Sequence, residues 1–285
     1  MKLHFTKMQA FGNDYIYMDT MTQVVPRPEG LAKRLCDRHF GIGADGLILV
    51  CPSEKADFRM RVFDPDGTEA QMCGNGLRSV AKYVFDKEFT KKSAFTVETL
   101  GGIRQVYLVF EEGRLQSVRA DIGRPCFEPE AIPLNASAPC IEKPIRLQGH
   151  LFYLTALSLG NPHGVCFLEP EFDLEAFDLP RFGSLLENHT LFPERANIEF
   201  CKALDAQTLS MRSWERGTGE TLSCATGCAA STVVGHLTGR CGRDVRVLQR
   251  GGTMHIEWKA NDHLIMTAPT YTVFEGTLEW REEPK

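Results

Sequence analysis

Two cysteines stand in matching surroundings. Residues 60–76 read MRVFDPDGTEAQMCGNG and residues 211–227 read MRSWERGTGETLSCATG. Aligned without gaps, Met60, Arg61, Glu69, Cys73 and Gly76 coincide with Met211, Arg212, Glu220, Cys224 and Gly227. Phe63 matches Trp214 and Asp64 matches Glu215, while Gly12-Asn13 recurs more faintly as Gly160-Asn161. Each cysteine directly precedes a segment with helical spacing. A helix N-terminus carries unpaired N–H groups and partial positive charge. Both thiols are therefore expected to ionise more readily than usual, giving thiolates that can act as bases. The N–H groups of Gly74-Asn75 and Ala225-Thr226 would form two anion cradles, and Gly76 and Gly227 would keep each loop tight. An amino acid held by its carboxylate in both cradles could lose its α-proton to one sulfur and regain a proton from the other, with inversion at the α-carbon. Fixed donors aimed at the developing charge do most to lower the barrier of such a reaction, and each positioned proton transfer adds roughly 10²–10⁴ in rate.

Around these residues most of the chain reads as short strands. DYIYMD, GLILV, FRMRVF, AFTVETL, VYLVF, LFYLTALSL, GVCFLE, NIEFC, HIEW and LIMTA are apolar or alternating and rich in β-branched and aromatic residues. Turn pairs at Glu112-Gly113, Gly251-Gly252 and Asn261-Asp262 separate several of them. After Cys73 the apolar residues Leu77, Val80, Ala81, Val84 and Phe85 predict a one-faced helix. After Cys224 the run CAASTVVGHL predicts a helix buried all round, ended by Gly239. Leu31–Phe40 is a shorter helix candidate. The expected fold is α+β, in two pseudo-symmetric halves, each a sheet or barrel wrapped around a central helix. One half would comprise residues 1–124 together with a C-terminal strand at 272–285, and the other residues 125–271. Their boundary falls at the proline-rich stretch Pro125 to Pro144. Two such halves facing each other would set the cysteines across a cleft, where small-molecule sites prefer to lie.

Bulk properties narrow the function. The 285 residues carry a net charge of −5, with no basic stripe or block, so nucleic acid is not expected as a partner. No apolar run approaches the ~18 residues of a membrane helix, and MKLHFTKMQAFGND lacks the apolar core of a signal peptide. The expectation is a cytoplasmic protein, with a small amino acid as its partner and a homodimer as the default assembly. The ten cysteines are irregularly spaced without a C-x-x-C pair, so no metal site is expected. No cofactor is expected either. There is no pyridoxal-type lysine motif, and the GIGADG run at Gly41–Gly46 precedes a strand rather than a helix, failing the dinucleotide test.

The segments FGNDYIYMD, GIGADGLIL, FDPDGTEAQMCGNGLR, FTVETLGGI, GNPHGV, ANIEF and WERGTGETLSCATG, spread over residues 11 to 227, closely resemble the diaminopimelate epimerase family. The resemblance implies a fold of two pseudo-symmetric halves with one catalytic cysteine in each. It implies Cys73 and Cys224 as the base and acid, and Gly74, Asn75, Ala225 and Thr226 as the α-carboxylate cradle. It further implies Asn13, Asn161, Asn197, Glu215 and Arg216 as substrate contacts, with Arg216 on the distal carboxylate, where bidentate pairing suits guanidinium. His163 and Glu215 resemble residues that tune the thiol pair.

This chain departs from the family pattern at Asp64, where asparagine is usual, at Ala225, where many members have glycine, and at Ala10 and Ser79. Ala225 should be harmless, since a cradle uses backbone N–H. Asp64 would add negative charge near the distal group and could favour a cationic or imidazole side chain. It could instead pair with an ammonium or with Arg216. Three readings follow: conversion of LL- to meso-diaminopimelate, racemisation of another amino acid such as histidine, and a binding module that has lost catalysis.

Overall fold

The computed structural model describes residues 1–169 and 172–280. The chain divides into two units, Met1–Ala120 with Ala268–Lys285, and Asp121–Thr267. These limits each fall four residues before the sequence-based boundaries at 124/125 and 271/272.

In unit 1 the strands run β1 (Lys2–Ala10), β2 (Asn13–Asp19), β3 (Gly46–Cys51), β4 (Phe58–Phe63), β5 (Glu69–Ala70), β6 (Ala94–Thr99), β7 (Gly102–Glu111) and β8 (Arg114–Asp121). Helix α1 (Pro28–Leu35) joins β2 to β3, and α2 (Gly74–Asp86) joins β5 to β6. The pairs β2/β3 and β4/β6 are parallel. Parallel neighbours need a crossover connection, and the two helices lie in these crossovers.

Unit 2 repeats the order with β9 (Lys143–Leu147), β10 (His150–Ser158), β11 (Pro162–Phe167), α3 (Leu179–Glu187), β12 (Asn197–Asp205), β13 (Thr208–Glu215), β14 (Gly219–Thr221), α4 (Ala225–Leu237), β15 (Asp244–Gln249), β16 (Gly252–Trp258) and β17 (Leu264–Ala268). Here β11/β12 and β13/β15 are the parallel pairs. The chain end returns to unit 1 as β18 (Tyr271–Glu279), antiparallel to β1, just as β9 is antiparallel to β10. The duplication read from one short motif extends through the whole topology.

In each unit the strands pack on its cysteine-capped helix. α2 packs on β1, β2, β4 and β7, and α4 on β10, β11, β12, β13, β15 and β16. Residues Ala225–Gly235 of α4 are buried without interruption, as the all-apolar run predicts. In α2, Leu77, Val80, Ala81 and Val84 are fully buried, and Phe85 stacks edge-on against Phe110. The other core of each unit lies under the shorter helix. Leu31, Ala32 and Leu35 of α1 pack with Leu3, Ile16, Leu47 and Phe63. Phe182 and Leu186 of α3 join Phe152, Phe177 and Phe200.

Two expectations change. The Leu31–Phe40 helix starts earlier and ends at Leu35. Asp37 Oδ1 accepts the N–H groups of His39 and Phe40 at 2.7 and 2.8 Å, a side-chain turn that competes with helix continuation. Gly41 is then packed against the backbone carbonyls of Arg34 and Leu35. Helix α3 has no counterpart among the helices predicted from sequence. Its sequence signal is Asp178 as N-cap, bonding Arg181 N, followed by Pro180 in the first turn.

Candidate functional site

In unit 1 the hairpin between β1 and β2 turns through Phe11 and Gly12 at φ 56° and 84°, backbone suited to glycine at the second position. This turn sets Asn13 at the start of β2. Asn13 Nδ2 donates to Asp45 Oδ2 at 2.8 Å, and its Oδ1 accepts from Asn75 Nδ2 at 3.1 Å. The Cys73 sulfur lies 3.9 Å from the same Oδ1. Arg78 Nη2 fixes the Asn75 amide from below at 2.7 Å. Cys73 is the N-cap of α2, with extended backbone (φ −133°, ψ 117°), and its sulfur accepts the Gly76 N–H at 3.3 Å. The helix itself offers no acceptor to the N–H groups of Gly74 and Asn75, which precede its first internal bond.

Asp64 occupies the turn from β4 to β5 and makes its hydrogen bonds there, its N–H reaching Thr68 O at 2.9 Å. Burial, with the nearby charge of Asp66, pushes its carboxyl above the ordinary value despite a bond from Thr68. No cation pairs with Asp64 among the described residues. One strand away, Arg61 clamps Glu69 with two bonds of 2.8 and 2.7 Å across β4 and β5.

Unit 2 rebuilds this arrangement. Gly160, at φ 92°, turns the chain so that Asn161 enters β11. Asn161 Nδ2 donates to Thr226 Oγ1 at 3.3 Å. Cys224 caps α4 with φ −117° and ψ 108°, and its sulfur accepts the Gly227 N–H at 3.4 Å. Thr226 Oγ1 lies 3.7 Å from that sulfur. Ala225 and Thr226 hold the positions of Gly74 and Asn75. Arg212 repeats the clamp of Arg61, bonding Glu220 at 2.8 and 3.0 Å. The repeated Arg and Glu therefore brace the turn before each cysteine.

Asn197 donates to Pro162 O at 3.2 Å and accepts the Arg216 N–H at 2.9 Å. Glu215 accepts from Thr221 Oγ1 at 2.5 Å. The Arg216 guanidinium is exposed and donates to Glu194 O at 3.4 Å. His163 is wholly buried, with Nδ1 3.0 Å from Glu199 Oε1 and Nε2 3.1 Å from Asn161 Oδ1. Both ring nitrogens face side-chain oxygens. Ser213 Oγ also donates to Glu199 Oε1, at 3.2 Å.

One electrostatic expectation is overturned. The thiol of Cys224 is not eased into ionising. Burial first, then the charges of Glu215 and Glu199, push it well above the ordinary cysteine value. The Gly227 N–H and the Thr226 hydroxyl pull the other way and are outweighed. Desolvation of a thiolate in a dry pocket exceeds what one helix terminus returns.

Sequence reasoning missed Tyr15, Asp45 and Glu199. Tyr15 is buried on β2, where burial first and then the charge of Cys73 push its phenol well above the ordinary value. Glu199 carried a legible signal, a single charge inside the apolar run NIEFC, because an unpaired carboxylate is rarely buried. Asp45 receives Asn13 Nδ2, the Asp14 N–H and Arg38 Nη2. Burial opposes ionisation of Asp14, but the bonds and charges of Arg38 and Lys7 win and hold its carboxyl low. None of the ten cysteines is in a disulfide. Among the described residues, no cluster of His, Cys, Asp and Glu could hold a metal ion, and no helix is long and apolar enough to cross a membrane.

Comparison with known proteins agrees with this duplicated architecture. The fold resembles a hydroxyproline epimerase from Agrobacterium vitis solved with bound trans-4-hydroxy-L-proline, with TM-score 0.71, 11% identity, and coverage of 97% of this chain and 92% of that one. A probable proline racemase from Agrobacterium radiobacter gives TM-score 0.73 at 15% identity, covering 99% and 94%. At these identities the likeness is one of fold. Sequence similarity reaches further. The diaminopimelate epimerase of Acetivibrio thermocellus is 45% identical over 282 residues, 98% of this chain and all of that protein. That of Methanococcus maripaludis is 44% identical over 279 residues, covering 97% and 100%. That of Moorella thermoacetica is 46% identical over 277 residues, covering 96% and 98%. The family model described as Diaminopimelate epimerase matches residues 5–127 and 155–273, taking in both capped helices and the side chains around them. The chain therefore belongs to the diaminopimelate epimerase family.

Proposed function

We propose that this chain converts LL-diaminopimelate to meso-diaminopimelate without a cofactor, using Cys73 and Cys224 as its two proton-transfer groups. The observation that carries the reading is the duplicated cap, a cysteine sulfur accepting the N–H of the third helical residue in both units. Inversion by two groups requires one thiol on each face of the α-carbon. The sulfur in thiolate form removes the α-proton, and the other, as thiol, supplies a proton to the opposite face. Charge that builds on the α-carboxylate is met by the N–H groups of Gly74, Asn75, Ala225 and Thr226. Asn13, Asn161, Asn197 and Glu215 orient the ammonium groups, and Arg216 takes the distal carboxylate. His163 and Glu215 act on the protonation of the thiols. The chain would work in the cytoplasm, which its ten reduced thiols suit, and as a homodimer, which sedimentation would test.

Racemisation of histidine or another amino acid is not favoured. The relatives at 44–46% identity are named for diaminopimelate. Asp64, which motivated that alternative, lies where burial and the charge of Asp66 oppose its ionisation, against the fixed negative charge the alternative calls for.

The test is deuterium wash-in at the α-carbon in D₂O, with LL-diaminopimelate, L-histidine, L-lysine and L-glutamate offered separately. Exchange and inversion of diaminopimelate alone are expected. Cys73→Ala and Cys224→Ala should each lose inversion by at least 10²-fold while remaining folded. Near-normal inversion in either variant would sink the two-thiol scheme, and turnover of histidine instead would sink the substrate.

A further inference from the structure

We infer that Asp45 is a positioning residue for the proposed reaction. Its carboxylate holds the NH₂ end of the Asn13 amide, so that the carbonyl end is the one presented to Cys73 and to a substrate ammonium. The consequence for turnover rests on the two-thiol reading with Asn13 as a substrate contact, whereas the hold of Asp45 on Asn13 stands apart from it.

The orientation is decided from both ends of a relay within unit 1. A carboxylate only accepts hydrogen bonds and a guanidinium only donates them. Asp45 Oδ2 lies 2.8 Å from Asn13 Nδ2, so the end of Asn13 that faces Asp45 must be the donor. At the far end Arg78, fully buried on α2, donates from Nη2 to Asn75 Oδ1 at 2.7 Å. Asn75 therefore turns its Nδ2 to Asn13, whose Oδ1 accepts it at 3.1 Å. Donation runs in one direction, from Arg78 through Asn75 and Asn13 to Asp45. Turning Asn13 over would set its oxygen against the Asp45 carboxylate and its NH₂ against that of Asn75. The oxygen so presented lies 3.9 Å from the Cys73 sulfur. An ammonium has only donors, so this end of the amide is the one that can receive it.

Asp45 is itself held in place. It directly precedes β3, where its N–H donates to Asp14 O at 2.8 Å and its Oδ2 takes the Asp14 N–H at 3.0 Å. Its Oδ1 accepts from Arg38 Nη2 at 2.7 Å, and the same nitrogen reaches Asp14 Oδ1 at 2.7 Å. Lys7, buried on β1, pairs with Asp14 Oδ2 at 2.6 Å. Lys7, Asp14, Arg38 and Asp45 thus close into one network of alternating charge that leaves Asp45 Oδ2 facing Asn13.

Unit 2 forms the same strands without this device. There Gly160-Asn161-Pro162-His163 stands for Gly12-Asn13-Asp14-Tyr15. Tyr15 is aligned with Gly46 and His163 with Asn197, so Ala196 takes the position of Asp45. Pro162 replaces Asp14 and has no N–H for a carboxylate to accept. Asn161 lies between Thr226 Oγ1 at 3.3 Å and His163 Nε2 at 3.1 Å. A hydroxyl and an imidazole can each donate or accept, so they do not fix an amide as a carboxylate does. The paired strands therefore form with alanine at this position, and the carboxylate in unit 1 serves the asparagine rather than the fold.

The experiment is a double-mutant cycle of Asp45→Ala and Asn13→Ala in the full chain, read by kcat/KM for LL-diaminopimelate. Alone, Asp45→Ala should lower kcat/KM at least ~10-fold, the scale of one hydrogen bond to a charged group. The loss should fall on KM with kcat little changed, because an amide free to turn offers NH₂ to an ammonium in the ground and transition states alike. In the Asn13→Ala background the same change should cost less than about twofold, since its route to the substrate is already gone. Hydrogen exchange of the Asn13 side-chain amide, followed by NMR and identified by the signals lost in Asn13→Ala, should be at least ~10-fold faster in Asp45→Ala. Asp45→Asn, which keeps the volume, should show the same kinetic pattern and decides the matter if Asp45→Ala fails to fold. Unchanged exchange of the Asn13 amide in a folded Asp45 variant overturns the inference, as does an equal loss of kcat/KM in both backgrounds or a loss confined to kcat. If the wild-type chain fails to epimerise diaminopimelate, the functional reading falls, while the amide exchange still decides whether Asp45 holds Asn13.

Discussion

Adding one methyl group at Gly76 or Gly227 should have unequal costs, although the two glycines occupy the same position in duplicated helices. Each is the third residue of its helix and donates its N–H to the capping sulfur. Alanine at an ordinary helical site gains up to about 1 kcal/mol over glycine. Against that gain stands the local collision. At Gly76 the new Cβ would lie 2.5 Å from Ile48 Cδ1, with Cys73 Cβ and Sγ at 3.3 and 3.4 Å. The close atom is the end of an aliphatic side chain, and turning it off its rotamer costs about 0.5–1.5 kcal/mol. Gly76→Ala should therefore come out near neutral. At Gly227 the new Cβ would lie 2.7 Å from Glu199 Oε1 and 3.1 Å from both Glu199 Cγ and Cys224 Cβ. That oxygen is held by His163 at 3.0 Å and Ser213 at 3.2 Å inside a fully buried pocket. Moving it far enough to relieve the clash breaks at least one charge-assisted bond, worth about 1.5–3 kcal/mol.

Gly227→Ala should thus destabilise by about 2 kcal/mol more than Gly76→Ala, from the balance of a lost charged bond against one rotamer change. Urea unfolding of the two variants beside the parent, read by far-UV circular dichroism, measures the difference. Hydrogen exchange resolved by peptide should put the loss for Gly227→Ala in β11, β12 and α4. Equal midpoints for the two variants, or a greater loss in Gly76→Ala, would refute the claim that Glu199 is fixed by its partners.

Other perturbations separate charge from shape. Asp64→Asn should leave kcat/KM for LL-diaminopimelate similar or higher, and raised activity on histidine or lysine relative to diaminopimelate would count against the reading. The raised carboxyl of Asp64 gives stability that is intact below the ordinary carboxylate value and lost as pH rises through the raised one. Asp64→Asn should therefore be the more stable form at pH 7, with the advantage gone by about pH 3–4, as thermal melts across that range would show. Alkaline pH should destabilise the whole chain, because burial pushes Cys36 up to about 12, Cys241 up to about 11, and Cys140, Cys166, Cys201 and Cys224 upward as well. Each such thiol costs up to about 1.4 kcal/mol per pH unit once the unfolded chain ionises above roughly pH 8.5, so urea midpoints with reductant should fall steeply between pH 8.5 and 10. Glu215→Gln removes the largest charge acting against ionisation of Cys224, and should lower the pH midpoint for alkylation of that cysteine. An unmoved midpoint would show that burial alone sets it.

The residues that could be read from sequence are those whose partners are close in the chain. Cys73 and Cys224 declare themselves because the cap, the following N–H groups and the glycine at the third helical position lie within four residues. The two long helices follow from composition and spacing alone. Helix α1 is displaced because Asp37 turns back on His39 and Phe40, a local competition that apolar spacing does not register. Helix α3 is hidden in a stretch of phenylalanines that also fits a strand, and only the Asp178 cap and Pro180 distinguish it. Tyr15 and Glu199 require strand register. Nothing within a few residues of Tyr15 indicates that the charge of Cys73, 58 positions later in the chain, acts on its phenol. The thiol electrostatics mislead for a related reason. The helix terminus at Cys224 is visible in sequence, whereas the depth of burial and the approach of Glu199 come from other strands.

The two units share their backbone far more closely than their chemistry. Both cysteines are extended caps, both sulfurs accept the N–H three residues on, and both approaching turns are clamped by an Arg–Glu pair of two bonds. An inversion that runs in either direction needs that equality of geometry, since each sulfur serves as base in one direction and as acid in the other. It does not need equality of proton affinity. Two thiolates on one carbanion would repel it, and two thiols could not begin the reaction, so the productive resting state holds one proton between the two sulfurs. At the equivalent strand positions the neighbours differ, Tyr15 and Ile48 in unit 1 and His163 and Glu199 in unit 2. Burial, then the charges of Glu215 and Glu199, favour the protonated thiol at Cys224, while the sulfur of Cys73 accepts the Gly76 N–H. The repeated scaffold thus carries different side chains beside its two cysteines, and at Cys224 they act with burial against ionisation.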